Sequence, residues 1–171
     1  MITPDTKDWT WVLREPCPEC GLEAGEVDPT AVGDRVRATL PRWEAALGRD
    51  DARERPDDDT WSPTEYACHV RDVFRVFAAR TELMLEQDDP ELENWDQDET
   101  AVADHYDQQD PADVAPQLVE AGERVAGVFD DVPDDAWART ARRSDGASFT
   151  VATLAQYFLH DVEHHLHDVK A

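Results

Sequence analysis

Basic residues are scarce. Lysine and arginine together number 16 against 40 aspartates and glutamates, a net charge of -24. Such a surface repels polyanions, which argues against nucleic acid and anionic membrane surfaces as partners. Much of the acid lies in runs such as Asp57-Asp-Asp59, Asp130-Asp131 and Asp134-Asp135, where solvation is the ordinary role. Long apolar runs are missing too, since none approaches the ~18 residues of a membrane span. The opening Met1-Ile-Thr-Pro-Asp-Thr-Lys-Asp8 has no apolar core of a signal peptide, so the expected location is cytoplasmic. Cysteine is sparse and odd in number, at 3 residues, which is no disulfide framework. There is no internal repeat and no low-complexity linker. What remains is a chain of 171 residues, 40% hydrophobic, the size of one domain and able to build a core.

Residues 1–27 read as an extended arm carrying Trp9, Trp11 and the knuckle Cys17-Pro-Glu-Cys-Gly21. A Cys-x-x-Cys turn points two thiolates the same way and is half of a zinc-ribbon site. Residues 28–171 read as a helical bundle. Asp28 and Pro29 start a helix to about 48, with Val32, Val36, Leu40, Trp43 and Leu47 as its core stripe and a kink at Pro41. Ser62-Pro-Thr-Glu65 combines an N-cap, a first-turn proline and a capping-box glutamate, and opens a second helix to about Glu86. Its stripe is Tyr66, Val70, Val73, Phe74, Phe77 and Met84, and His69 falls on the flank of it. Residues 87–110 form a long acidic connection with a short helix around Ala101–Tyr106. A third helix runs from Asp110-Pro111 to about Phe129, Pro133–Trp137 make a single helical turn, and Ser144-Asp-Gly146 marks a short hairpin. The fourth helix runs from about Thr150 to the end. Four long helices predict an all-α four-helix bundle.

The last helix holds four of the chain's 6 histidines. At about 100° per residue, Val151, Leu154, Phe158, Val162, Leu166 and Val169 form one apolar arc. Asp161 and His165 stack on one edge of that arc, and His160 and His164 fall roughly opposite it, with His167 beside them. The helix thus offers two ligand sets on two faces. Asp161, His165 and, from the second helix, His69 suit Zn²⁺ or Fe²⁺ with positions left open for water or substrate. His160 and His164 need a cover, and the arm brings Cys17 and Cys20, which would close a two-cysteine, two-histidine structural site. The alternatives at this point are a redox pair or a metal-free turn at Cys17 and Cys20, with His160 and His164 exposed.

The run Trp61-Ser-Pro-Thr-Glu-Tyr-Ala-Cys-His69-Val, the acidic Trp95-Asp-Gln-Asp98 and the histidine-rich final helix resemble the DinB/YfiT-like metalloenzymes over residues 60–169. The resemblance implies an up-down-down-up bundle with one histidine ligand on the second helix and two ligands four apart on the last. His69 matches the first. Asp161, His165 and Asp168 match the carboxylate-first pattern of the mycothiol-dependent maleylpyruvate isomerase branch, while a competing register takes His160 and His164. The Cys17–Cys20 arm lies outside the general family pattern.

Several relatives of this kind are S-transferases using mycothiol or bacillithiol. The expected function is therefore a divalent-metal-dependent transferase, zinc being the first choice, with a low-molecular-weight thiol cosubstrate and an electrophilic small molecule. A metal-dependent hydrolase on the same site and a non-catalytic zinc-stabilised binding or stress-response module are the alternatives. Asp168 or Asp72 would orient a ligand histidine, and Arg71 and Arg80 would meet an anionic substrate. A homodimer is left open.

Overall fold

A computed structural model describes residues 2–171. Its core is built from four long helices: α1 (Val32–Leu47), α2 (Pro63–Glu86), α4 (Pro111–Asp130) and α5 (Val151–Asp168), with a short α3 (Gln97–Ala103) in the acidic connection. α4 packs against α1 and α2, and α5 closes the bundle on the same two helices. Trp43, Phe74, Phe129 and Phe158 are buried in its core, where the Phe74 and Phe129 rings pack on Phe158 at 6.0 and 5.3 Å.

The starts of these helices follow from local chemistry. At α2, the Ser62 hydroxyl accepts from the Glu65 N–H while the Glu65 carboxylate accepts from the Ser62 N–H, a closed capping box. Such a cap contributes about 1 kcal/mol. Arg55 clamps the same carboxylate from the preceding loop. At α5, the Thr150 hydroxyl accepts from the Thr153 N–H, which holds the first turn of the helix carrying the histidines.

Two sequence expectations need correction. The fold is mostly helical rather than all-α, because the expected hairpin, β2 (Thr140–Arg143) with β3 (Ser148–Thr150), is joined by a parallel strand β1 (Glu91–Leu92). Two residues carry no periodicity, so β1 leaves no trace in the sequence. Pro133–Trp137 is a set of turns rather than a helical turn.

Residues 10–26 are also less extended than expected. Thr10–Leu13 and Ala24–Glu26 form 3-10 turns that pack on α5. The Gln156 amide on α5 donates to the Gly25 and Val27 carbonyls at 3.2 and 2.8 Å. Val12, Cys17 and Ala24 are buried there. Among the described residues, no helix is long and apolar enough to cross a membrane.

Candidate metal centre

One ligand atom each from His69, Asp161 and His165 lies within 4.8 Å of the other two. α2 supplies the first and α5 the others, one turn apart. His165 Nε2 is 3.0 Å from Asp161 Oδ1, and His69 Nε2 is 3.5 Å from Asp161 Oδ2. The His69 and His165 rings meet edge to face at 4.9 Å. His69 is fully buried rather than flanking, because loop residues cover it. Trp95 stacks on its ring at 5.7 Å and Trp61 tilts against it at 5.6 Å. Neither His69 ring nitrogen has a hydrogen-bond partner.

The electrostatics of this trio are strong. Burial alone would raise the Asp161 pKa, but His69 and His165 hold it far below the usual carboxylate range. Burial would lower the pKa of His165, yet Asp161 and Asp168 raise it to about 9. Asp168 Oδ2 sits 2.8 Å from His165 Nδ1 and so fixes that ring from its far side. Of the two carboxylates expected to orient a ligand histidine, only Asp168 contacts a histidine of the trio. Asp72 is committed elsewhere: it accepts from Arg71, Arg75 and the Tyr106 hydroxyl, the last at 2.5 Å.

Asp161 and His165 open onto a cavity of about 690 Å³, whose walls include Trp9, Trp61, Tyr66 and Trp95. Arg80 and Arg143 also line it, whereas Arg71 does not. Arg71 is buried on Asp72, Gln109 and Gln117, which corrects its expected role at a substrate. Arg80 donates to the Glu93 carbonyl at 2.8 Å, and burial together with nearby Arg143 lowers its pKa to about 10. Arg143 and Tyr66 were not legible as wall residues. Tyr66 sits in the apolar stripe of α2, yet its ring reaches His165 at 5.0 Å.

The second donor set is also brought together. Cys17, Cys20, His160 and His164 each offer an atom within 4.8 Å of the others. Cys17, His160 and His164 are 2%, 4% and 7% exposed, so the face of α5 opposite the bundle core is covered, not solvent-facing. His167 stays exposed. Burial, then the neighbouring His164, lower the His160 pKa to about 4, and burial raises that of Cys20 to about 11.

Fold and donor sets together define a helical-bundle protein with a metal-capable trio at the floor of an aromatic-walled cavity. The chain belongs to the DinB superfamily, whose pattern it matches over residues 33–169. Among solved structures it is similar to YfiT from Bacillus subtilis, described as a probable metal-dependent hydrolase with an unusual four-helix bundle topology. The likeness has a TM-score of 0.68 at 18% identity and covers 90% of this chain and 86% of YfiT. At that identity it concerns the fold. Comparison with curated proteins found no match.

Proposed function

We propose that the protein is a divalent-metal-dependent enzyme acting on a small molecule, with His69, Asp161 and His165 as its metal ligands. The observation that carries this reading is the buried His69 ring, neither of whose nitrogens makes a hydrogen bond and whose Nε2 faces Asp161 at 3.5 Å, beside a converging carboxylate and imidazole. An unsatisfied buried polar group costs about 1–3 kcal/mol, and a bound cation would turn that cost into a bond. Two imidazoles and one carboxylate fit zinc with positions left open. When bound, the ion supplies Lewis acidity, drawing the pKa of a thiol or water at the open position toward neutrality.

The chain's own residues do the rest. Asp168 accepts from His165 Nδ1–H, fixing the tautomer and presenting Nε2. Trp61 and Trp95 keep water from His69. Arg80 and Arg143 place two guanidiniums on the cavity wall, where an anionic group of the substrate would be held.

Within this class we favour a thiol S-transferase that joins a low-molecular-weight thiol to an electrophile. A cavity of about 690 Å³ has room for both reactants. The fold likeness to YfiT favours the second reading, a hydrolase using water at the same position. The test follows loss of a chlorinated nitroarene by the zinc-loaded protein with a low-molecular-weight thiol. A rate that rises with thiol and vanishes in His69→Ala supports the transferase, and one independent of thiol assigns the hydrolase. Full rate and full metal content in His69→Ala would remove both readings.

A further inference from the structure

The cysteine–histidine cluster on the other face of α5 is not needed for the proposed reaction, and its geometry is that of a closed metal site. Cys17 Sγ lies 3.6 Å from His164 Nδ1. Two ligands bonded at zinc–sulfur and zinc–nitrogen lengths with a tetrahedral angle between them are also about 3.6 Å apart. His160 Nε2 is buried and has no hydrogen-bond partner. The far nitrogen of His164, Nε2, faces carboxylates instead: Glu19 at 3.5 Å and Asp168 at 3.7 Å. A ring with one nitrogen toward a cluster of donors and the other toward a carboxylate has the arrangement of a zinc-bound histidine.

The turn between the cysteines is shaped to match. Gly21 N–H donates to the Cys17 carbonyl at 2.8 Å, and Cys17 N–H donates to the Leu22 carbonyl at 3.0 Å. Gly21 has φ +77°, a conformation that side-chain-bearing residues rarely adopt, so glycine suits the tight turn that follows Cys20. Trp9 lies over the two imidazoles, with ring centroids at 5.9 Å from His160 and 5.6 Å from His164.

We propose that Cys17, Cys20, His160 and His164 bind one zinc ion in a closed tetrahedral site, and that this ion pins the N-terminal arm as a fixed wall of the substrate cavity. The donor set, two thiolates and two imidazoles, is the one zinc prefers for structural sites. Binding forms two zinc–sulfur and two zinc–nitrogen bonds and releases the two thiol protons to solvent. The wall role follows from what the pinned segment touches. Ile2 to Lys7, Trp9 and Glu19 line the same cavity as Asp161 and His165. Trp9 donates its indole N–H to Asp5 at 2.6 Å, and the Asp5 N–H donates to Asp98 of α3 at 3.2 Å, so the segment ties the arm to α3 along the cavity wall. Consecutive residues on α5 project about 100° apart, so His160 and His164 fix the same two turns that present Asp161 and His165. The proposal stands whether or not the open trio is catalytic.

The test uses the full chain loaded with Co²⁺ in place of zinc. A thiolate-to-cobalt charge-transfer band is expected in the wild type and in His69→Ala, and is expected to be absent from Cys17→Ser/Cys20→Ser. Absence of the band in the wild type, or its persistence in the double cysteine variant, would overturn the site. Should the double variant not fold, zinc X-ray absorption of His69→Ala replaces it: two sulfur and two nitrogen neighbours are expected, and only nitrogen and oxygen would overturn the site. Proteolysis tests the wall. Cleavage within residues 2–23 should become at least about tenfold faster when the zinc is stripped, and an unchanged rate would overturn the pinning. If His69→Ala keeps its full metal content while the cysteine variant loses all of it, the closed site stands and the open-site reading falls.

Discussion

Replacing His69 with leucine separates stability from metal chemistry. In the metal-free protein both ring nitrogens are buried without hydrogen bonds, Nε2 having only the Asp161 carboxylate at 3.5 Å, and each unsatisfied group costs about 1–3 kcal/mol. Leucine fills a similar volume and removes both. Lost in exchange are the Asp161 carboxylate 3.5 Å from Nε2, about 0.2–1 kcal/mol, and the stacked contact with Trp95 at 5.7 Å and the edge contact with His165 at 4.9 Å, each about 0.5–1.5 kcal/mol. Asp161 keeps its partner His165 at 3.0 Å. The balance favours leucine by roughly 1–3 kcal/mol, which for a chain of this size raises Tm by roughly 2–10 °C. Zinc at 100 times Kd returns about 2.7 kcal/mol to the wild type and nothing to the variant through this site, so the gap closes or inverts on loading. Calorimetry of chelator-stripped and zinc-titrated samples reads both differences, and any ion held at Cys17 and Cys20 contributes to both proteins and cancels. A metal-free variant melting several degrees below the wild type, or gaining as much from zinc as the wild type, would refute the reasoning.

Asp72→Ala strands the Arg71 guanidinium, which is 4% exposed, and should cost about 3–5 kcal/mol in urea unfolding; a loss below ~1 kcal/mol would show that Gln109 and Gln117 suffice. Gly122→Ala places a Cβ 2.4 Å from Leu40 Cδ2 and 3.1 Å from Phe74 Cε2 where α4 meets α1 and α2, an overpacking expected to cost about 1–3 kcal/mol in the same assay. The metal-free protein has its own pH signature. His165 is raised from 6.5 to about 9, so its contribution is full below pH 6.5 and fades as pH rises through 9, with a slope of at most about 1.4 kcal/mol per pH unit. Zinc takes the place of that proton, so the loaded protein should not show this loss between pH 6.5 and 9. An equal loss in both forms would count against His165 as a ligand.

The bundle was legible where local chemistry decides. Ser62, Pro63 and Glu65 mark the start of α2 without ambiguity, and the helix ends at Glu86, two residues past the last stripe residue Met84. The division of the metal-capable side chains of α5 between two faces also follows from its 3.6-residue period alone, and Asp161 lies near His165 and His160 near His164. What the period cannot supply is what other segments lay over a helix. His69 reads as a flank residue because a wheel counts only its own helix, yet Trp61 and Trp95 from two loops bury it completely. Arg71 reads as an exposed cation, but the long acidic connection returns Gln109 and Tyr106 to it and to its partner Asp72. Tyr106, expected at the end of a short helix in the acidic connection and almost wholly buried, belongs to the same gap: tertiary placement of irregular chain leaves no periodic mark.

The central claim is that α5 serves two different metal sites from two faces. It is tested most directly by counting zinc in three full-length proteins: wild type, His69→Leu and Cys17→Ser/Cys20→Ser. Two equivalents are expected in the wild type and one in each variant, with sulfur ligands remaining, of the two variants, only in His69→Leu. A single equivalent in the wild type that either variant abolishes would contradict it.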